Sequence, residues 1–229
     1  NLYLVDYLGM IGLPIVPTAA YPADARVACL GVQAAADPAL AGRMRRHLAA
    51  GATLVLTPAL LRRLGSDGTR LAGVEVTPQS RLAAASNLRA AGFALSLTVP
   101  LEFDAGVKAA GCRVLIETQS VPLYTVTSRE RGAVLVLNGR TFNEQDFRDA
   151  NEWLLAPKPR GLPFIPEGAA VEIRRPLLAP LGLRFEAPVG VGLYLHDKGG
   201  CVYSFLDQPA KVSLNGKTIE LAPHQMHCW

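Results

Sequence analysis

Apolar positions in the first 140 residues switch between a helical period and short buried runs. Leu2–Leu13 carries apolar residues at helical spacing and meets Gly12 and Pro14, which predicts a helix with a stop signal. Ile15-Val16 predicts a short strand. Arg26–Val32 (RVACLGV) is nearly continuous in apolar residues, the mark of a strand buried on both faces, as in a parallel sheet. Asp37-Pro38 supplies a helix N-cap and first helical residue; Leu40, Met44, His47 and Leu48 then share one helical face, and Gly51 closes the helix. Thr53–Leu56 (TLVL) predicts a second buried strand, followed by a helix from Pro58 through Leu64. Arg81–Ala91 carries only a weak helical pattern. Phe93–Val99, Arg113–Thr118 and Ala133–Leu137 complete the strand candidates. Alternating strands and helices with short connections predict an α/β fold. Its sheet is expected to be open and mostly parallel, with the runs at 26–32, 53–56 and 113–118 adjacent.

The character changes after Asn143. Glu144–Leu155 predicts a helix with Phe147, Ala150, Trp153 and Leu154 facing inward. Pro157, Pro159, Pro163 and Pro166 then forbid regular structure and suggest a boundary. Beyond it, VGLYLH, CVYSFLD, AKVSLNG and KTIELAP predict a small antiparallel unit. Asn215-Gly216 is a type I′ hairpin signal, because both turn positions need positive φ. The expected organisation is an α/β domain over 1–156, then a proline-rich connection and antiparallel unit over 157–229.

Half of the 229 residues are hydrophobic and 18% are charged, enough to bury a sizeable core. The net charge of +4 is too mild to imply nucleic acid, and no Lys/Arg run is interleaved with aromatics. Arg43, Arg45, Arg46 and His47 read as a solvated helix face. No run is long and apolar enough to predict a membrane span. Cys29, Cys112, Cys201 and Cys228 form no CxxC pair, and the first three sit in apolar runs as small hydrophobes, so no disulfide framework is expected and the compartment stays open.

Asp6–Pro58 resembles a known layout: helix, short strand, buried strand, then a helix running into HLAAGATLVLTP. That phrase is similar to the YVxxGGTLVLG segment of class I glutamine-amidotransferase-like domains, and especially to the trimerisation domain of family 42 β-galactosidases. CRVLIETQSVPLYTVTSRERGAVLVLNG is similar to the close of that domain, a short hairpin followed by a G-x-G-x-V-x-x-L strand, with Gly132 at that strand's leading glycine. CVYSFLDQP resembles the Y-x-F-x-D-x-P phrase of the small β domain that ends many glycoside hydrolases. The resemblance implies a flavodoxin-like or amidotransferase-like sheet with helices on both faces, self-association, a catalytic domain upstream of Asn1, and carbohydrate as a ligand.

Amidotransferases of this kind carry a Cys on an elbow after the strand matching TLVL. Here Thr57-Pro58-Ala59 stands there. Pro58 lacks the N–H that the residue after a nucleophile gives to an oxyanion, and Glu172 has no His partner. Thr57 is therefore expected to cap the helix at Pro58. Cys29 has no glycine-rich elbow and reads as a core thiol. Glu102, Asp104 and Glu117 are carboxylates of the type that glycosidases use in pairs, but the resemblance places those on a separate barrel. His224, His227 and Cys228 are the nearest approach to a metal set, yet residues three apart on a strand face opposite ways. No metal and no cofactor are expected. Asn138 and Arg140 follow a strand at the sheet's C-terminal edge, where α/β folds bind ligands. Thr57, Glu102, Glu117, Asn138 and Arg140 are thus the candidate pocket-lining residues. No catalytic residue is assigned.

The expected function is a non-catalytic accessory, assembly or ligand-recognition domain of a carbohydrate-processing protein. The alternative is an independent hydrolase or transferase of a small substrate, acting through Glu102, Glu117 and Arg140. A sugar-binding module would need exposed aromatic platforms; only 7% of residues are aromatic, and burial is expected for both Trp153 and Trp229.

Overall fold

The computed structural model describes residues 8–9, 11–90, 93–139, 166–196 and 199–229. The expected helix at 144–155, Arg140, and the prolines at 157, 159 and 163 lie outside them. The chain forms two compact units, one comprising Asn1 and Thr18–Arg140, the other Leu2–Pro17 with Thr141–Trp229.

In the first unit, β1 (Val27–Leu30) and β2 (Thr53–Leu56) pair in parallel, joined through α1 (Leu40–Ala49). Helix α1 buries Leu40, Met44, His47 and Leu48, the one face that the helical spacing predicts, so the expected solvated face keeps Arg43, Arg45 and Arg46 but not His47. From β2 the chain enters α2 (Pro58–Ala72), which breaks at Gly65 (φ 64°, ψ −147°) and ends on left-handed Gly73. β3 (Val74–Val76) pairs with β6 (Val107–Ala109). β4 (Leu82–Ala90), β5 (Phe93–Asp104), β7 (Arg113–Thr118), β8 (Val121–Arg129) and β9 (Gly132–Leu137) complete a seven-stranded sheet ordered β1-β2-β9-β8-β7-β4-β5.

Only β1, β2 and β9 are parallel neighbours; every other pairing in that sheet is antiparallel. The sheet is therefore mixed, and the expected mostly parallel, flavodoxin-like arrangement is corrected. So is the adjacency of 113–118 to the other two runs, because β8 and β9 intervene. The reason lies in two tight turns. Gln119 (φ 49°) and Ser120 (φ 64°) join β7 to β8, and Glu130 (φ 49°) turns β8 into β9. Two-residue connections join only antiparallel strands, since a parallel crossover needs a dozen residues or more. Ala-rich 82–90 is strand, not helix: pairing with β5 and, at its end, with β7 overrides local propensity. Ile15-Val16 is not a strand.

Leu30, Met44, Leu48, Leu54, Leu56, Leu60, Leu61, Val134 and Val136 form the core beneath α1 and α2. Gly132 lies hard against the neighbouring strand: a Cβ there would stand 2.2 Å from the Ala52 carbonyl oxygen, so no larger residue fits without moving backbone.

In the second unit, α3 (Glu167–Leu178) precedes two three-stranded antiparallel sheets. β10 (Phe185–Glu186), β13 (Ala210–Leu214) and β14 (Lys217–Leu221) form one; β11 (Val191–His196), β12 (Gly199–Ser204) and β15 (Met226–Cys228) form the other. Asn215 (φ 51°) and Gly216 (φ 82°) make the hairpin turn that their dipeptide signals. Cys201 faces Cys228 across β12 and β15, and the two are disulfide-bonded with Cα atoms 4.0 Å apart. This corrects the expectation of no disulfide. The strand register creates the pair, and a sequence separation of 27 residues hides it.

Candidate functional site

The C-terminal ends of β5 and β9 meet in a buried polar node. Asp104, 6% exposed, ends β5. Its carboxylate pairs with the Arg62 guanidinium from α2 and accepts from Ser80 Oγ (2.9 Å), Arg81 N–H (3.1 Å) and Gly106 N–H (2.9 Å). Asn138, directly after β9, clamps the same residue through its backbone. Its Oδ1 accepts from Asp104 N–H at 2.9 Å, while its Nδ2 donates to the carbonyls of Asp104 (3.0 Å) and Pro122 (2.9 Å). Burial by itself would push the Asp104 carboxyl up. The hydrogen bonds from Arg62, Arg81, Gly106 and Ser80 outweigh it and hold the carboxyl below its ordinary value. A carboxylate with its acceptor sites so occupied is a structural anchor; no lone pair is directed at a substrate.

The candidate residues occupy separate places in this unit. Thr57 is the N-cap of α2: its Oγ1 accepts from Leu60 N–H at 3.4 Å, with Pro58 in the first turn. A cap of this type contributes about 0.5–2 kcal/mol. Glu102 is half-buried in β5 opposite Ala84, and Glu117 is half-buried in β7 opposite Arg89. Their partners lie five positions apart on the intervening β4, on the order of 16 Å along a strand, well beyond the roughly 5–9.5 Å separating glycosidase carboxylates. Asn138 belongs to the node around Asp104. Arg140 is outside the described residues. The node's second member, Arg62, escapes sequence reasoning, because nothing in the α2 pattern distinguishes it from Arg63 beside it.

Other groups with chemical potential are held by their neighbours. Burial pushes the Cys29 thiol up to about 12, which disfavours the reactive thiolate. His47 bridges Tyr21 Oη (3.0 Å at Nδ1) and the Ala25 carbonyl (2.6 Å at Nε2), as a satisfied buried histidine does. Among the described residues no group of three His, Cys, Asp or Glu is placed to hold a metal, and no helix is long and apolar enough to cross a membrane. A cleft of about 440 Å³ runs between α1 and α2, with Met44, Leu64 and Leu71 below and Arg45, Arg70 and Asp67 at its rim. Both arginines pair with Asp67.

Sequence reasoning also passed over an aromatic cluster in the second unit. Tyr194 is 46% and Phe205 is 49% exposed, and Trp229, expected to be buried, is 46% exposed. Tyr203 and Phe205 alternate along CVYSF, a period-two signal that places both on one face, and the β11–β12 register brings Tyr194 to the same face.

A family model described as the second domain of the uncharacterized protein SSO3021 matches residues 1–87. No curated protein matches the chain. Among solved structures, the chain is similar to a polyextremophilic β-galactosidase from the Antarctic haloarchaeon Halorubrum lacusprofundi, at 13% identity and a TM-score of 0.54 over 99% of this chain and 34% of that one. A β-galactosidase from Bacillus circulans sp. alkalophilus matches at 14% identity and a TM-score of 0.48, over 88% of this chain and 32% of that one. A GH42 β-galactosidase from G. stearothermophilus matches at 15% identity and a TM-score of 0.48, over 89% and 31%. The chain spans about a third of the length of these enzymes. At such identities the likeness is one of fold, and the chain takes the fold of part of a β-galactosidase.

Proposed function

We propose that the chain is a non-catalytic accessory domain of a carbohydrate-processing, glycoside-hydrolase-like protein, serving assembly or ligand recognition. The observation that carries this reading is the fold likeness to the Halorubrum enzyme, which takes in 99% of this chain but 34% of the other. On this reading the chain corresponds to a part of such an enzyme that does not hold its chemistry. Local geometry supports the same reading: Thr57 is engaged as a helix cap, Asp104 is saturated by donors, and Glu102 and Glu117 stand too far apart to act as a pair. The finer kinship, with the amidotransferase-like trimerisation domain of family 42 β-galactosidases, rests on the HLAAGATLVLTP phrase and on Gly132, where the structure leaves no room for a side chain.

An assembly role requires self-association. A stable contact between copies buries on the order of 1,200 Å² or more. Sedimentation velocity over rising concentration is expected to show a species larger than the monomer. A single monomeric boundary at the highest concentration would remove assembly from the proposal and leave ligand recognition.

A further inference from the structure

We propose that the outward face of the β11-β12-β15 sheet is a platform for the apolar face of a neutral pyranose, a glycan-recognition site within the accessory domain proposed above and resting on that reading. The sheet distributes its residues unusually. Val191, Leu193 and Val202 are buried on its inner face, as expected for a sheet packed on one side. The opposite face should then be polar, yet it carries Tyr194, Tyr203, Phe205 and Met226, with Met226 directly across from Tyr203. Phe205 and Tyr203 meet edge to face with centroids 4.6 Å apart. Gly192, opposite Tyr203 in the ladder, forms the floor beside these rings. A Cβ at that position would lie 3.1 Å from the Tyr194 ring, 3.3 Å from its hydroxyl and 3.3 Å from the Phe205 ring. The cluster is therefore contiguous, and the missing side chain at Gly192 is what lets the rings lie low across the strands. The Cys201–Cys228 disulfide lies on the same face, two positions along β15 from Met226, and ties that edge strand to β12.

Two features select the occupant. First, Tyr194, Tyr203, Phe205 and Met226 bear no formal charge, which favours a neutral ligand over an anion or an acidic peptide. Aromatic faces are electron-rich and attract the C–H edges of a sugar ring, and the tyrosine hydroxyls stand ready for its hydroxyls. Second, the exposed parts of these four side chains amount to roughly 300 Å², well short of the ~800 Å² per partner of a stable protein interface. One or two sugar rings match that area; a second copy of the chain does not.

The test titrates the chain with β-1,4-linked galactotetraose as probe, read by saturation-transfer NMR, while sedimentation and the integrity of the probe are followed in the same samples. Saturable binding is expected, with transfer strongest to the C–H protons of one ring face. Tyr194→Ala and Phe205→Ala should each weaken it about tenfold, Phe205→Trp should retain it, and Leu195→Ala on the same strand should leave it unchanged. Both alanine positions are surface-exposed, so thermal melts should stay near the wild type and report folding independently. No binding, binding as tight in both alanine variants as in the wild type, or self-association that those variants abolish would overturn the platform; in the last case a second copy covers this face. Cleavage of the probe would instead count against the non-catalytic reading, so the two failures are distinguishable.

Discussion

Asp104→Ala is expected to destabilise the first unit by about 3–5 kcal/mol, because it leaves the Arg62 guanidinium largely buried without its counter-charge. Ser80 Oγ and the backbone N–H groups of Arg81 and Gly106 lose their acceptor in the same step. Urea denaturation should show the midpoint falling with little change in slope. Arg62→Ala should be costly too, and the double variant should cost less than the sum of the two, since each single change already breaks the shared interaction. The acid limb supplies a second reading. The folded carboxyl sits below its ordinary value of 3.8. Its stabilisation is therefore fully present above that value and lost as pH falls through the lower folded value. Asp104→Asn should flatten that part of the stability profile while preserving shape. A variant as stable as the wild type at neutral pH would show that the node contributes nothing.

Arg174→Met is expected to cost a comparable amount, about 3–5 kcal/mol, in the second unit, though for the opposite reason: carbonyl acceptors are orphaned instead of a cation. Arg174 is 1% exposed, and its guanidinium donates to the carbonyls of Ile11, Ala187 and, at 3.4 Å, Pro188. The guanidinium also stands 5.3 Å from the centre of the Phe185 ring. Burial draws its pKa down to about 10, with Glu167 opposing, so it stays charged at neutral pH. One side chain thus ties the segment ahead of Gly12 to the strand region around Ala187. Arg174→Lys should recover only part of the loss, because a single ammonium cannot serve three carbonyls from the fixed fork of a guanidinium. Thermal denaturation of the three proteins orders them wild type, Lys, Met; a Lys variant equal to the wild type would contradict the fork argument.

The pattern of residues discloses the parallel half of the sheet far better than the antiparallel half. RVACLGV and TLVL read as buried strands because they are apolar throughout, and the structure pairs them in parallel. Leu40, Met44, His47 and Leu48 mark the buried face of α1, Thr57-Pro58 the start of α2, and Asn215-Gly216 a hairpin, since each is a local signal with a local cause. β4 was illegible because its alanines favour helix in isolation, and only pairing with β5 and β7 makes it a strand. The hairpin that holds β8 was implied only by the resemblance, because Gln119, Ser120 and Glu130 adopt positive φ without glycine to announce its turns. The Asp104 node draws in Ser80, Asn138 and Arg62 from 24, 34 and 42 positions away, which no spacing rule connects. The Cys201–Cys228 bond and the aromatic face both depend on strand register, which a sequence reveals only after the partner strands are known.

An accessory domain of the kind proposed above has no chemistry of its own. Hydrolysis of nitrophenyl β-galactoside by the purified chain, followed over long incubation at high protein concentration, is the decisive measurement. Release of nitrophenol is expected to be no faster than in buffer, with Glu102→Gln and Glu117→Gln indistinguishable from the wild type. Turnover that co-purifies with the chain and disappears in either glutamine variant, with folding intact, would contradict it.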